Sequence, residues 1–349
     1  VPASPPDRRP VTLVQGLRAA AALAVTVHHV LNDGLAMGAA PAGERWRGLS
    51  WDAGIDVFFV ISGFVIVLAS EPLFAAPGAA ARFMARRVIR VAPLYWIATA
   101  AFLAAALLQG GVHAPLGGPA YALASCLFIP WPRPDGVMHP LYEVGWTLNH
   151  EMFFYAVFAA FIFLPRRPAV LCVAATLAAG ALWSPAQRQL GFWTDPITLE
   201  FVFGMAVALA LREGAAPSPA ARALLAALSA ALLLALGLGA PDLARWLRFG
   251  APAGLLVAAA ALGEPRLPPP VRTGMLILGD ASYALYLVHP FVMRALQIVW
   301  LRLHADGPLG LWSYVAAAVA GSVVASLAVH AWVEAPVARA LKRVVKSAV

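Results

Sequence analysis

Apolar residues run along this chain in long blocks, at roughly 11–33, 52–70, 91–109, 146–164, 168–184, 196–211, 223–239, 249–263, 276–299 and 311–333. Blocks of this length cross the hydrocarbon of a bilayer as helices. In lipid each must satisfy its own backbone hydrogen bonds, which excludes isolated strands. The pattern predicts an all-α, polytopic integral membrane protein of about ten transmembrane helices. A further run, Tyr121–Ile129, is too short to cross and is expected to be re-entrant or interfacial. Pro265–Pro270 reads as a loop and Ala223–Ala240 as a lipid-facing helix. With no internal repeat and no separate soluble segment, residues 1–349 are expected to form one membrane-embedded domain.

Composition agrees with that pattern. The chain is 61% hydrophobic and only 12% charged, with a mean hydropathy of +0.77, whereas a soluble domain of this length needs more charge to cover its surface. The polar, Pro-rich start Val1–Pro10, followed by Arg18 within the first apolar block, leads us to expect no cleavable signal peptide. Cys126 and Cys172 resemble neither a disulfide framework nor a metal site, and no metal is expected. The net charge of +8 is distributed unevenly. With the N-terminus inside, cytoplasmic loops hold 16 of the 25 Lys and Arg residues. Opposite loops hold seven: Arg45, Arg47, Arg133, Arg188, Arg245, Arg248 and Arg302. Arg18 and Arg294 fall within helices. This bias favours both termini in the cytoplasm and explains the charge through anionic lipid, not a nucleic-acid partner.

Ionisable residues inside hydrocarbon are costly and commonly mark a pathway or a reaction centre. Arg18 and His29 share the first block, eleven residues and about 16 Å apart along a helix. Topology places His29, Asp56, Glu151 and His289 at one depth near the outer face, a cluster of imidazoles and carboxylates suited to proton transfer. Nearer the cytoplasm, Arg82, Arg86 and Arg90 recur at helical spacing with Arg87 beside them. Such a segment either lies on anionic headgroups or clamps phosphate through guanidinium groups. A ligand with phosphates at one end and a reactive group about 16 Å away would join the two layers. Acyl-coenzyme A has that shape.

These residues resemble the motifs of the membrane-bound acyltransferase-3 family, which O-acylates sugars of bacterial cell-surface polysaccharides. Arg18 and His29 match its Arg-x10-His signature. Gly54-Ile-Asp-Val-Phe-Phe-Val-Ile-Ser-Gly-Phe64 looks like its second-helix motif, and Arg87-Val-Ile-Arg90 with Pro93 and Tyr95 like its Arg-x-x-Arg element. Gly145-Trp-Thr-Leu-Asn-His-Glu-Met-Phe-Phe-Tyr155, Leu278–Pro290 and Val333-Glu-Ala-Pro336 resemble the remaining elements, and the Trp-Thr-Leu-Asn variant is nearest to exopolysaccharide acetyltransferases.

The resemblance implies a multi-pass protein of the bacterial inner membrane. It would take acyl-CoA, by default acetyl-CoA, from the cytoplasm and acylate a carbohydrate hydroxyl near the outer face. Arg18, Arg86, Arg87 and Arg90 would hold the donor. His29 would act either as general base on the hydroxyl or as a nucleophile on the thioester. Glu151 or Asp56 would orient the imidazole, with Asn32 and Asp33 as further ring partners one helical turn away. His28 is a neighbouring imidazole, and the motif spacing favours His29. Gly54, Ser62 and Gly63 read as helix-packing positions. The competing function is a transporter or flippase for a lipid-linked sugar or an anionic metabolite, although the repeated halves common in transporters are missing from this sequence.

Overall fold

The computed structural model describes residues 12–36, 49–108, 118–133, 135–183, 185–263, 265, 267–303 and 307–348. Arg8, Arg9, Arg45, Arg47 and Arg266, which entered the charge argument, lie outside the described residues. Among the described residues regular structure is entirely helical. The first half contains α1 (Thr12–Ala36), α2 (Gly54–Ala69), α3 (Ala79–Leu108), α4 (Gly118–Cys126), α5 (Trp146–Phe161) and α6 (Arg166–Leu182). The second contains α7 (Arg188–Trp193), α8 (Leu199–Arg212), α9 (Pro219–Gly239), α10 (Ala251–Ala261), α11 (Pro269–Asp280), α12 (Ser282–Leu303), α13 (Gly307–Val329) and α14 (Ala335–Ala348).

Seven helical runs among the described residues are long and apolar enough to cross a membrane. The three other expected spans correspond to the shorter α5 and α6, of 16 and 17 residues, and to the apolar helix Trp246–Ala261. Three sequence expectations change. The arginine segment 82–90, counted among the cytoplasmic loops in the charge argument, is helical, because α3 begins at Ala79 and runs for 30 residues through Pro93. The block 276–299 is not one helix but two, α11 and α12, divided at Ala281. Pro269 and Pro270 open α11, where a missing N–H costs nothing, so the proline-rich stretch is only partly loop.

Close helix approach is set by glycine. A Cβ at Gly204 on α8 would lie 1.8 Å from the Val60 carbonyl oxygen, and one at Gly63 on α2 would lie 2.1 Å from that of Phe201. Only hydrogen fits at these two crossings, which bring α2 and α8 into backbone contact as small residues do in membrane bundles. Around them Phe154 stacks on Phe201 with ring centroids 4.2 Å apart, and Phe83 meets Phe158 at 5.2 Å. On α9, by contrast, Leu224, Leu228, Leu234 and Leu238 are exposed. An unbroken apolar face of this kind is expected where lipid, not water, is the solvent.

Charged loops collect at the two ends of α2. At one end Glu71 meets Arg166 at 2.6 Å and Arg212 at 3.6 Å, while Arg167 meets Glu213 at 3.6 Å. At the other end Arg245 bonds Asp52 at 2.9 Å. Arg133 lies 3.5 Å from Glu143, in the segment leading into α5. The Glu143 carboxyl is held below the usual carboxylate range, first by the His139 imidazole, whose Nδ1 lies 3.4 Å away, and then by the nearby charge of Arg133.

Candidate active site

Helix α1 contributes the two ends of the site. Arg18 lies in its second turn, where its Nη1 donates to Gln15 Oε1 at 3.0 Å. Gln15 Nε2 in turn donates to Asp280 Oδ1 at 2.9 Å, tying α1 to the end of α11. Eleven residues further along, His29 is bonded across to α12: its Nδ1 lies 2.9 Å from His289 Nε2. His289 is fully buried, and its Nδ1 lies 3.1 Å from the Leu285 carbonyl oxygen.

Arg18 lines a cavity of about 160 Å³ together with Ser62, Arg87, Arg90, Thr147, Glu151, Tyr155, Tyr283 and Tyr286, with apolar walls from α2, whereas His29 and His289 do not line it. That volume equals roughly five water molecules. Three guanidinium groups enter it from α1 and α3. Arg90 is paired with Glu334, itself 2.8 Å from His330, and lies 5.6 Å from the centre of the Tyr283 ring. Arg87 differs: its Nε is buried without a hydrogen-bond partner among the described residues. A buried donor in that state is costly unless something accepts from it. Glu151 faces the same cavity, and its Oε1 accepts from Ser62 Oγ at 2.7 Å and from the Tyr155 hydroxyl.

Aromatic hydroxyls link the cavity to the histidine pair. Tyr286 donates to the Val144 carbonyl oxygen at 2.6 Å and lies 2.9 Å from Thr147 Oγ1. Its ring centre is 6.2 Å from that of His289, one helical turn further along α12. Tyr283 donates to the Val91 carbonyl oxygen at 2.7 Å.

The structure thus unites Arg18, Arg87, Arg90 and Glu151 and revises the expectations for the others. Glu151 joins the arginines, not His29. Asp56 does not line the cavity: it is fully buried, and Arg245 binds it with Nε at 3.1 Å and Nη2 at 2.6 Å. The depth estimate failed because α2 crosses α1 early. A Cβ at Gly54 would meet Ala21 O at 2.4 Å and Val25 at 3.0 Å, about 6–12 Å short of His29 along the helix. Arg86 is exposed and points away from the cavity that Arg87 and Arg90 line. Asn32 bonds His28, at 3.0 Å, instead of His29. Asp33 accepts from Tyr314 and from Gln297 Nε2 at 3.0 Å. Those bonds separate the adjacent imidazoles, with His28 tied within α1 and His29 to α12.

Sequence reasoning missed Ser62, Tyr155, Thr147, Tyr283 and Tyr286. Ser62 was read as a packing position, although the structure makes it a donor to Glu151. Tyr155 had a legible signal, standing one turn from Glu151 on the same helical face. The tyrosines of α12 had none, since aromatic residues in apolar helices usually mean packing or interface.

The family described as the acyltransferase domain, acyltransferase-3, matches residues 13–331. The exopolysaccharide production protein ExoZ of Rhizobium meliloti (strain 1021) is 34% identical over 295 residues, which cover 82% of this chain and 89% of ExoZ. The acyltransferase MdmB of Streptomyces mycarofaciens is 28% identical over 329 residues, covering 83% of this chain and 81% of MdmB. No solved structure matches the chain. The match takes in α1 to α13 and the helices that carry Arg18, Arg87, Arg90, Glu151 and His289, and so the chain belongs to the acyltransferase-3 family.

Proposed function

We propose that this protein transfers an acyl group, acetyl by default, from cytoplasmic acyl-CoA to a hydroxyl of an exported or cell-surface polysaccharide or its lipid-linked precursor. The observation that carries this reading is the convergence of Arg18, Arg87 and Arg90 on one cavity that Tyr286 also lines, with the Tyr286 ring centre 6.2 Å from that of His289. Guanidinium groups suit the phosphates of a nucleotide. The polysaccharide acceptor is carried over from the name of ExoZ. Family membership favours chemistry over the transporter alternative.

In this reading His29 takes the proton of the acceptor hydroxyl as its oxygen attacks the thioester carbonyl. The carbon–sulfur bond breaks, and the leaving thiolate recovers that proton from the imidazolium, so the enzyme returns to its starting state. The protein has ten spans in the bacterial inner membrane with both termini inside. The arginines open toward the cytoplasm and His29 lies toward the outer face.

The test is transfer of labelled acetyl-CoA to surface-glycan precursors by purified protein. His29→Ala should abolish transfer while leaving donor binding intact, because a base acts in the transition state. Arg87→Ala should weaken donor binding, measured by calorimetry, more than it lowers turnover at saturation. Label transfer at the wild-type rate by His29→Ala, or unchanged donor affinity in Arg87→Ala, would remove the respective role.

A further inference from the structure

We propose that His289 is a positioning residue that fixes the tautomer of His29, leaving Nε2 as the unprotonated nitrogen of its ring. The inference rests on the proposed acyl transfer with His29 as base, and it follows from hydrogen-bond accounting along three groups. The Leu285 carbonyl oxygen can only accept, so His289 Nδ1, 3.1 Å away, carries a hydrogen.

His289 is fully buried, and no carboxylate is bonded to it among the described residues. A second proton would place an uncompensated charge in the bundle, which is expensive. Its Nε2 therefore keeps a lone pair and must accept from His29 Nδ1, 2.9 Å away. The rings are tilted by only 12° with centroids 5.0 Å apart, the geometry of two imidazoles joined edge to edge in one plane by an N–H···N bond. With its hydrogen on Nδ1, neutral His29 has a free lone pair on Nε2. The hydrogen bond at one ring nitrogen decides the protonation of the other.

This differs from a triad in which a carboxylate orients the base. Here the orienting group is a second neutral imidazole, anchored in turn by backbone. Glu151 and Asp56 are not needed for the task, which agrees with their bonds to Ser62, Tyr155 and Arg245.

Nitrogen-15 NMR of histidine-labelled protein, with His29→Asn used to assign the signal, reads the tautomer directly and needs no substrate. We expect His29 protonated at Nδ1. A wild-type His29 protonated at Nε2 overturns the proposal, whatever the activity. In transfer assays His289→Leu should lower turnover at least tenfold with donor affinity unchanged. His289→Gln, which keeps an acceptor near the position of Nε2, should recover at least a third of wild-type turnover. Full turnover in His289→Leu, or no recovery with glutamine in a variant that binds donor normally, also overturns it. Survival of transfer in His29→Ala would remove the base reading alone, while the NMR result still decides the contact.

Discussion

At the residue scale, Glu151 separates charge from hydrogen bonding. Both bonds it receives end on Oε1, and a glutamine can present an amide oxygen in the same place. Glu151→Gln therefore keeps Ser62 and Tyr155 in position and removes only the negative charge that faces Arg18, Arg87 and Arg90. We expect turnover at saturating donor to fall about tenfold, equivalent to about 1.4 kcal/mol of barrier, with donor affinity undiminished because one anion near the phosphates is gone. Turnover and calorimetric affinity of the purified variant decide it. A wild-type rate would reduce Glu151 to an anchor between α2 and α5.

At the element scale, the contact of α2 with α8 sustains the cavity, since Ser62 and the apolar wall stand on α2. Gly204→Ala forces a methyl group to within 1.8 Å of the Val60 carbonyl oxygen and 2.7 Å of the Phe64 nitrogen. Backbone cannot yield as a flexible side chain does, so the helices must separate. Overpacking of this kind costs about 1–3 kcal/mol. Thermal unfolding in detergent should show a clear loss of stability and donor binding. Gly239→Ala is the control, because a Cβ there meets nothing within 4 Å. That change should be neutral or slightly stabilising.

At the scale of the whole molecule, ion pairs sort the loops by side. Glu71, Arg166, Arg167, Arg212 and Glu213 meet at one end of the bundle, and Asp52 and Arg245 meet at the other. In the proposed topology, which rests on the positive-inside bias, the first end faces the cytoplasm. Single cysteines placed in a background without Cys126 and Cys172 should label from inside at positions near Arg86, Arg166 and Arg339. Those in segment 133–143 should label from outside. Outside labelling near Arg86 would put the arginine cavity on the wrong side for a cytoplasmic donor.

The length of the apolar blocks alone determined that the chain is helical and built for a membrane, because in lipid each segment closes its own backbone bonds and its character is local. Motif spacing also picked out Arg18, Arg87, Arg90, Glu151 and His29, since those residue types are too costly in apolar helices to stand there without a partner. Which partner each one meets was decided by tertiary structure. Glycine contacts set how far α2 slides along α1, which took Asp56 to Arg245, and the separate packing of α12 on α1 put His289 opposite His29. Depth counted along a sequence gives one coordinate of a side chain, and a hydrogen bond requires all three.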